Sequence, residues 1–132
     1  IDAMTGKTVW RTNEFAVWES IGISADGEQL YLRGMTDTLY CVSTSGTTPK
    51  LLWKTDCKYG FDSNPSMPVE QDGVVFFGSK SGIVSALDAK TGAIRWQYDT
   101  VKARTNTVTP IDAQGVVVAT MDGDVLYLRE AK

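Results

Sequence analysis

Three tryptophans, Trp10, Trp53 and Trp96, stand 43 residues apart each time. Two of them follow the same turn at the same distance: Asp2-Ala3-Met4-Thr5-Gly6 leads to Trp10, and Asp88-Ala89-Lys90-Thr91-Gly92 leads to Trp96. A degenerate copy, Val42-Ser43-Thr44-Ser45-Gly46, runs through a longer turn at Pro49 to reach Trp53. The chemistry of the reversal is readable. An Asp side chain bonds backbone N–H groups two residues on, and Gly supplies the positive φ that closes a tight turn. After the turn, Ile94, Trp96 and Tyr98 alternate with Arg95 and Gln97, the period-2 pattern of a strand with one apolar face.

Self-similarity at this period, with four short strands in each repeat, is the signature of β-propeller blades. The predicted class is all-β, with four-stranded antiparallel blades and no helix of any length. Asp26-Gly27, Asp72-Gly73 and Gln114-Gly115 mark hairpins between apolar runs. The second strand of a blade reads as continuously apolar, as in Val74-Val75-Phe76-Phe77 and Val116-Val117-Val118-Ala119, which fits a strand covered on both faces. Pro68 and Pro110 stand in the first strand of their blades, where an edge position tolerates a missing N–H. The expected boundaries are 1–13 for the outer strand of a preceding or closing blade, 14–56 and 57–99 for two blades, and 100–132 for a blade lacking its outer strand. About three blades is fewer than a closed propeller needs. The expectation is a segment of a larger ring, or one closed by a partner.

The unit made of an apolar strand, Asp-Ala-x-Thr-Gly, three residues and Trp resembles the repeat of the quinoprotein alcohol dehydrogenases and of their cofactor-free relatives, the pyrroloquinoline-quinone-like repeat proteins. The resemblance covers essentially the whole chain. It implies the fold and leaves function open, because the repeat serves enzymes, assembly factors and sensor domains alike. In the active quinoproteins a calcium ion with Glu, Asn and Asp ligands holds the quinone beside a catalytic Asp. None of those motifs can be placed here, and Cys41 and Cys57 are not the adjacent pair found beside the quinone in some of those enzymes.

Composition excludes several functions. The 13 basic and 16 acidic residues are evenly spread, so there is no basic stripe for nucleic acid. Histidine is absent, which removes the commonest general base and metal ligand. Asp122-Gly123-Asp124 lacks the spaced ligands and distal Glu of a calcium loop. No apolar run is long enough for a signal peptide or a membrane span, so any targeting segment would lie upstream. Two states are open for Cys41 and Cys57: a cross-strand disulfide in an exported protein, or two partly buried thiols.

The repeated side chains Asp2, Gly6, Trp10, Gly46, Trp53, Asp88, Gly92 and Trp96 read as structure. A cofactor needs one special Trp, whereas a Trp in every blade points to packing between blades. Binding is expected elsewhere, on the long linkers between blades at 12–19, 57–65 and 100–107, which are the segments least alike among the repeats. They carry Phe15, Trp18, Tyr59, Phe61, Asp62, Asn64, Lys102, Arg104 and Asn106. Two readings stand side by side: a partner or ligand surface with aromatic anchors, or aromatics that plug the gaps between blades.

The favoured function is a non-catalytic propeller scaffold for protein or ligand binding, without a cofactor. It would resemble the lipoprotein propeller subunit of the outer-membrane β-barrel assembly machinery. The alternatives are a fragment of a quinone- and calcium-dependent dehydrogenase, or an accessory propeller attached to a metallophosphoesterase. The resemblance implies a periplasmic or cell-surface location. A homodimer closing a six-bladed ring is a further expectation.

Overall fold

A computed structural model describes residues 1–63, 66–101 and 104–131, with the backbone alone at 18 and 19. Eleven strands run in chain order: β1 Val17–Ile23, β2 Gln29–Gly34, β3 Thr36–Ser43, β4 Lys50–Phe61, β5 Val69–Gln71, β6 Val74–Gly78, β7 Ile83–Asp88, β8 Ile94–Asp99, β9 Thr105–Asp112, β10 Gly115–Thr120 and β11 Val125–Arg129. They form two four-stranded meanders, β1-β2-β3-β4 and β5-β6-β7-β8, and a three-stranded sheet β9-β10-β11. All pairings are antiparallel. The all-β, bladed architecture stands, with no helix among the described residues. Residues 1–16 carry turns at 3–5 and 14–15 but no strand.

The blades stack face to face. One core lies between the first and second sheets, built from Tyr31, Leu39, Cys41, Cys57 and Tyr59 against Val75, Phe77, Leu87 and Ala89. The next lies between the second and third, where Val74, Phe76, Val84 and Ala86 meet Val108, Val116 and Val118. All five residues of β6 are buried, because sheets cover the middle blade on both sides. In β10 the far side is only half covered, at Val117 and Ala119.

The repeated turn works as its chemistry predicts. In the last full copy, Asp88 Oδ1 accepts from Thr91 Oγ1 at 2.7 Å, Thr91 N at 2.8 Å and Lys90 N at 3.1 Å. In the first copy Asp2 does the same with Thr5 and Met4. The Thr hydroxyl bond is the main cause holding both carboxyls below their ordinary pKa. Gly92, at φ +73°, ends the turn with a neighbour pressed against it. A Cβ there would come within 2.5 Å of the Trp53 ring. Trp53 Nε1 donates to Ala89 O at 2.9 Å and Thr55 Oγ1 to Gly92 O at 2.7 Å. The Trp of one blade thus seats on the turn of the next. Trp53 is thereby packed between its own blade and that turn.

β4 is longer than the repeat suggests and takes in the first half of the expected linker 57–65. Trp53, Thr55, Cys57 and Tyr59 turn inward while Lys54, Asp56 and Lys58 turn outward, so the alternation simply continues. The same register decides the state of the cysteines. Cys41 faces Trp53 across the ladder, four residues short of Cys57. That offset is about 13 Å along a strand, far beyond disulfide reach. Both thiols are free and buried, and burial pushes each up to about 12.

Candidate functional site

Strand direction sorts the connections onto two faces. The tight hairpins between first and second strands and the Asp-x-x-Thr-Gly turns share one face, and their tips carry the exposed polar residues Asp26, Glu28, Asp72, Lys90 and Gln114. The other face carries the second-to-third strand turns, at Met35, 79–82 and 121–124, together with the linkers between blades.

On that second face the loops are tied to one another. Asp62 N donates to Met35 O at 2.9 Å, so the first linker is held to the first blade's turn. Lys80 N then donates to Asp62 Oδ2 at 2.8 Å, which holds the second blade's turn to the same linker. Arg104 N donates to Lys80 O at 2.9 Å and Thr105 N to Ser79 O at 2.9 Å, and Met121 N donates to Arg104 O at 3.0 Å. Turn, linker, turn, linker, turn: a belt of hydrogen bonds crosses all three blades. It satisfies backbone groups that loops would otherwise leave to water.

Beneath the belt lies a charged junction that the sequence reading did not single out. Arg33 is fully buried between the first two blades. Its guanidinium lies 4.3 Å from the Tyr59 ring centre and 4.7 Å from that of Phe77. Nη1 donates to Gly78 O at 2.6 Å, and Nη2 meets Asp62 Oδ2 at 3.3 Å. Tyr59 OH lies 2.8 Å from Gly34 O and 2.9 Å from Thr38 O. An Arg at the end of the apolar run Leu30-Tyr31-Leu32, where the next blade has Gly78, was the available signal.

The expected binding residues therefore divide. Asp62 and Tyr59 are buried in the junction, and Phe15 is buried against Tyr40 with ring centres 5.4 Å apart. Arg104 is half-buried in the belt, and Asn106 is exposed beside Met121. Asn64, Lys102 and the Trp18 side chain lie outside the described residues. Of the expected aromatic anchors among the described residues, Phe15, Tyr59 and Phe61, it is Phe61 that stands out, 57% exposed next to the buried Asp62. Val101 and Met121 join it on the same face at 87% and 59% exposure. Val101 also sits at φ +54°, a conformation a β-branched residue rarely takes, with its N–H on Asp99 Oδ1 at 2.8 Å. Asp37 and Lys58, at φ +50° and +56°, belong to this face too. Among the described residues, no group of three or more Cys, Asp or Glu is placed to hold a metal.

A family model described as outer membrane protein assembly factor BamB matches residues 1–132. The chain belongs to this family. The resemblance to pyrroloquinoline-quinone-like repeats holds, and the propeller architecture with it. Two curated relatives, both named outer membrane protein assembly factor BamB, match in sequence. The one from Burkholderia pseudomallei is 29% identical over 97% of this chain and 30% of its own length. The one from Yersinia pestis is 27% identical over 73% of this chain and 26% of its own. The crystal structure of BamB from Moraxella catarrhalis superposes with a TM-score of 0.68 at 22% identity, over 83% of this chain and 32% of that one. The chain spans about a quarter to a third of the length of these BamB proteins.

Proposed function

We propose that this chain is a non-catalytic propeller scaffold of the bacterial envelope, periplasmic or at the cell surface, that binds a protein partner through the linker face. The observation that carries the reading is the exposure of Phe61, at the end of β4, and of Val101 and Met121 on the adjoining loops, all beside the belt. Large apolar side chains held out on a rigid frame give contact area at little entropic cost. Backbone strain at Val101 is of the kind that collects at functional positions. The family's name, an outer membrane protein assembly factor, supports a protein partner and an envelope setting. The reading assigns no cofactor. Association of two copies into one ring of about six blades belongs to it as well.

Photo-crosslinking amino acids placed one at a time at Phe61, Met121, Glu28 and Lys90 test the surface against solubilised envelope proteins. Positions 61 and 121 should give one discrete adduct that positions 28 and 90 do not. Equal adducts from both faces, or none from either, would remove the linker face from the proposal.

A further inference from the structure

The core between the first two blades and the core between the next two are built alike, from aliphatic and aromatic side chains of corresponding strands. Such faces are interchangeable in principle, because apolar burial is non-directional. Blade order therefore needs something besides the cores. Arg33 and Gly78 hold the same place in successive blades. Tyr31, two residues before Arg33, faces Cys41, and Phe76, two residues before Gly78, faces Ala86. Cys41 and Ala86 in turn face Trp53 and Trp96. At the first junction this place holds a guanidinium between the Tyr59 and Phe77 rings, with Asp62 Oδ2 on Nη2. At the second junction there is no room for a side chain. A Cβ on Gly78 would lie 2.6 Å from Thr105 Cβ.

The receiving sides differ to match. Asp62 N donates to Met35 O, and Arg104 N donates to Lys80 O. Lys80 N donates back to Asp62 Oδ2, and Met121 N to Arg104 O. Arg104 is therefore the third blade's counterpart of Asp62, with the opposite charge. A blade bearing Arg33, set against the third blade, would find Thr105 in its way and a second cation, Arg104, in place of the carboxylate. A blade bearing glycine there, set against the second blade, would leave the buried Asp62 without its cation. The first exchange fails by clash and like charge, the second by a stranded charge. As a stabilising device the junction is incomplete. Arg33 Nε has no hydrogen-bond partner among the described residues, although the side chain is fully buried. A buried ion pair that is only partly bonded stabilises less than apolar packing of the same space.

We propose that Arg33 and Asp62 form a key that sets blade order: it admits the second blade behind the first and rejects other blades of the repeat. The key acts while the chain folds, and it opposes the exchange of blades between copies. It does not depend on what the linker face binds.

The test reads blade exchange directly. Two batches of the chain, one labelled with heavy nitrogen, are refolded together from guanidinium or simply mixed after folding. Native mass spectrometry counts the species that hold one chain of each kind. Contacts between outer surfaces equilibrate on mixing, whereas exchanged blades form only on joint refolding. Arg33→Met with Asp62→Asn makes the key neutral and still leaves Lys80 N an acceptor. This variant should give at least about tenfold more refolding-only hybrids than wild type, with its near-ultraviolet circular dichroism kept. Arg104→Asp, at a half-buried position outside the key, should raise them as well, because the third blade then offers Arg33 a carboxylate. Equal hybrid shares in wild type and the neutral variant would overturn the key. If the neutral variant loses its dichroism, an unchanged share in Arg104→Asp overturns it instead.

Discussion

Gly92 sits under two constraints that are usually separate. Its φ of +73° excludes most side chains, and the Trp53 ring occupies the space where a Cβ would go. Gly46 shares only the first constraint, at φ +92° with nothing within 4 Å of an added Cβ. Gly46→Ala should cost about 1 kcal/mol, the price of an Ala in left-handed backbone. Gly92→Ala should cost at least about 2 kcal/mol more, since the ring and its bond to Ala89 must also move. Paired urea titrations measure the difference, and equal losses would show that Trp53 adds nothing at this turn. The Asp-x-x-Thr-Gly chemistry was legible because it is local: the Asp, the Thr and the Gly act within five residues. That the Trp of one blade rests on the turn of the next was legible only as periodicity. The partner, 36 residues away, leaves no mark beside the Trp.

At the scale of the strand, β4 shows how a pattern can be present and still be assigned to a loop. Lys58 and Gly60 carry positive φ and resemble linker chemistry, yet Cys57 and Tyr59 keep the inward alternation and Phe61 still pairs with Thr36. The strand has absorbed two irregularities. Its register also fixes the redox behaviour of the chain. Cys41 and Cys57 are fully buried, four ladder positions out of step, with their thiols pushed up to about 12 by desolvation. Native protein at pH 8 should react with iodoacetamide at least about 100-fold more slowly than a small free thiol. Two adducts should appear on unfolding in guanidinium. An intact mass two daltons below the reduced value would contradict the register. The sequence left bridge and thiols open because the longer turn through Pro49 hides which residues face each other.

Taken whole, the molecule is a stack held by two unlike devices, an apolar core between blades and the charged junction at Arg33. Arg33 and Asp62 meet with no exposed side-chain surface, so removing one partner strands the other in low dielectric. Asp62→Asn should lower stability by about 3 kcal/mol, and adding Arg33→Met should recover part of it, because the second change removes the stranded charge. Calorimetry on the two variants decides; additive losses would mean that the two residues act independently. The belt has a different consequence, one for how such a chain can evolve. Four of its five links join main chain to main chain, and main chain is what every amino acid shares. Substitution at the exposed linker positions can therefore run freely while the ties hold, the Asp62 carboxylate and the buried Phe15 and Tyr59 excepted. The blades keep their repeated letters because side chains hold them, whereas exposed linker positions such as Phe61 are free to drift and the buried Phe15, Tyr59 and Asp62 are not. Copies of one ancestral unit can in this way come to display different surfaces on an unchanged frame.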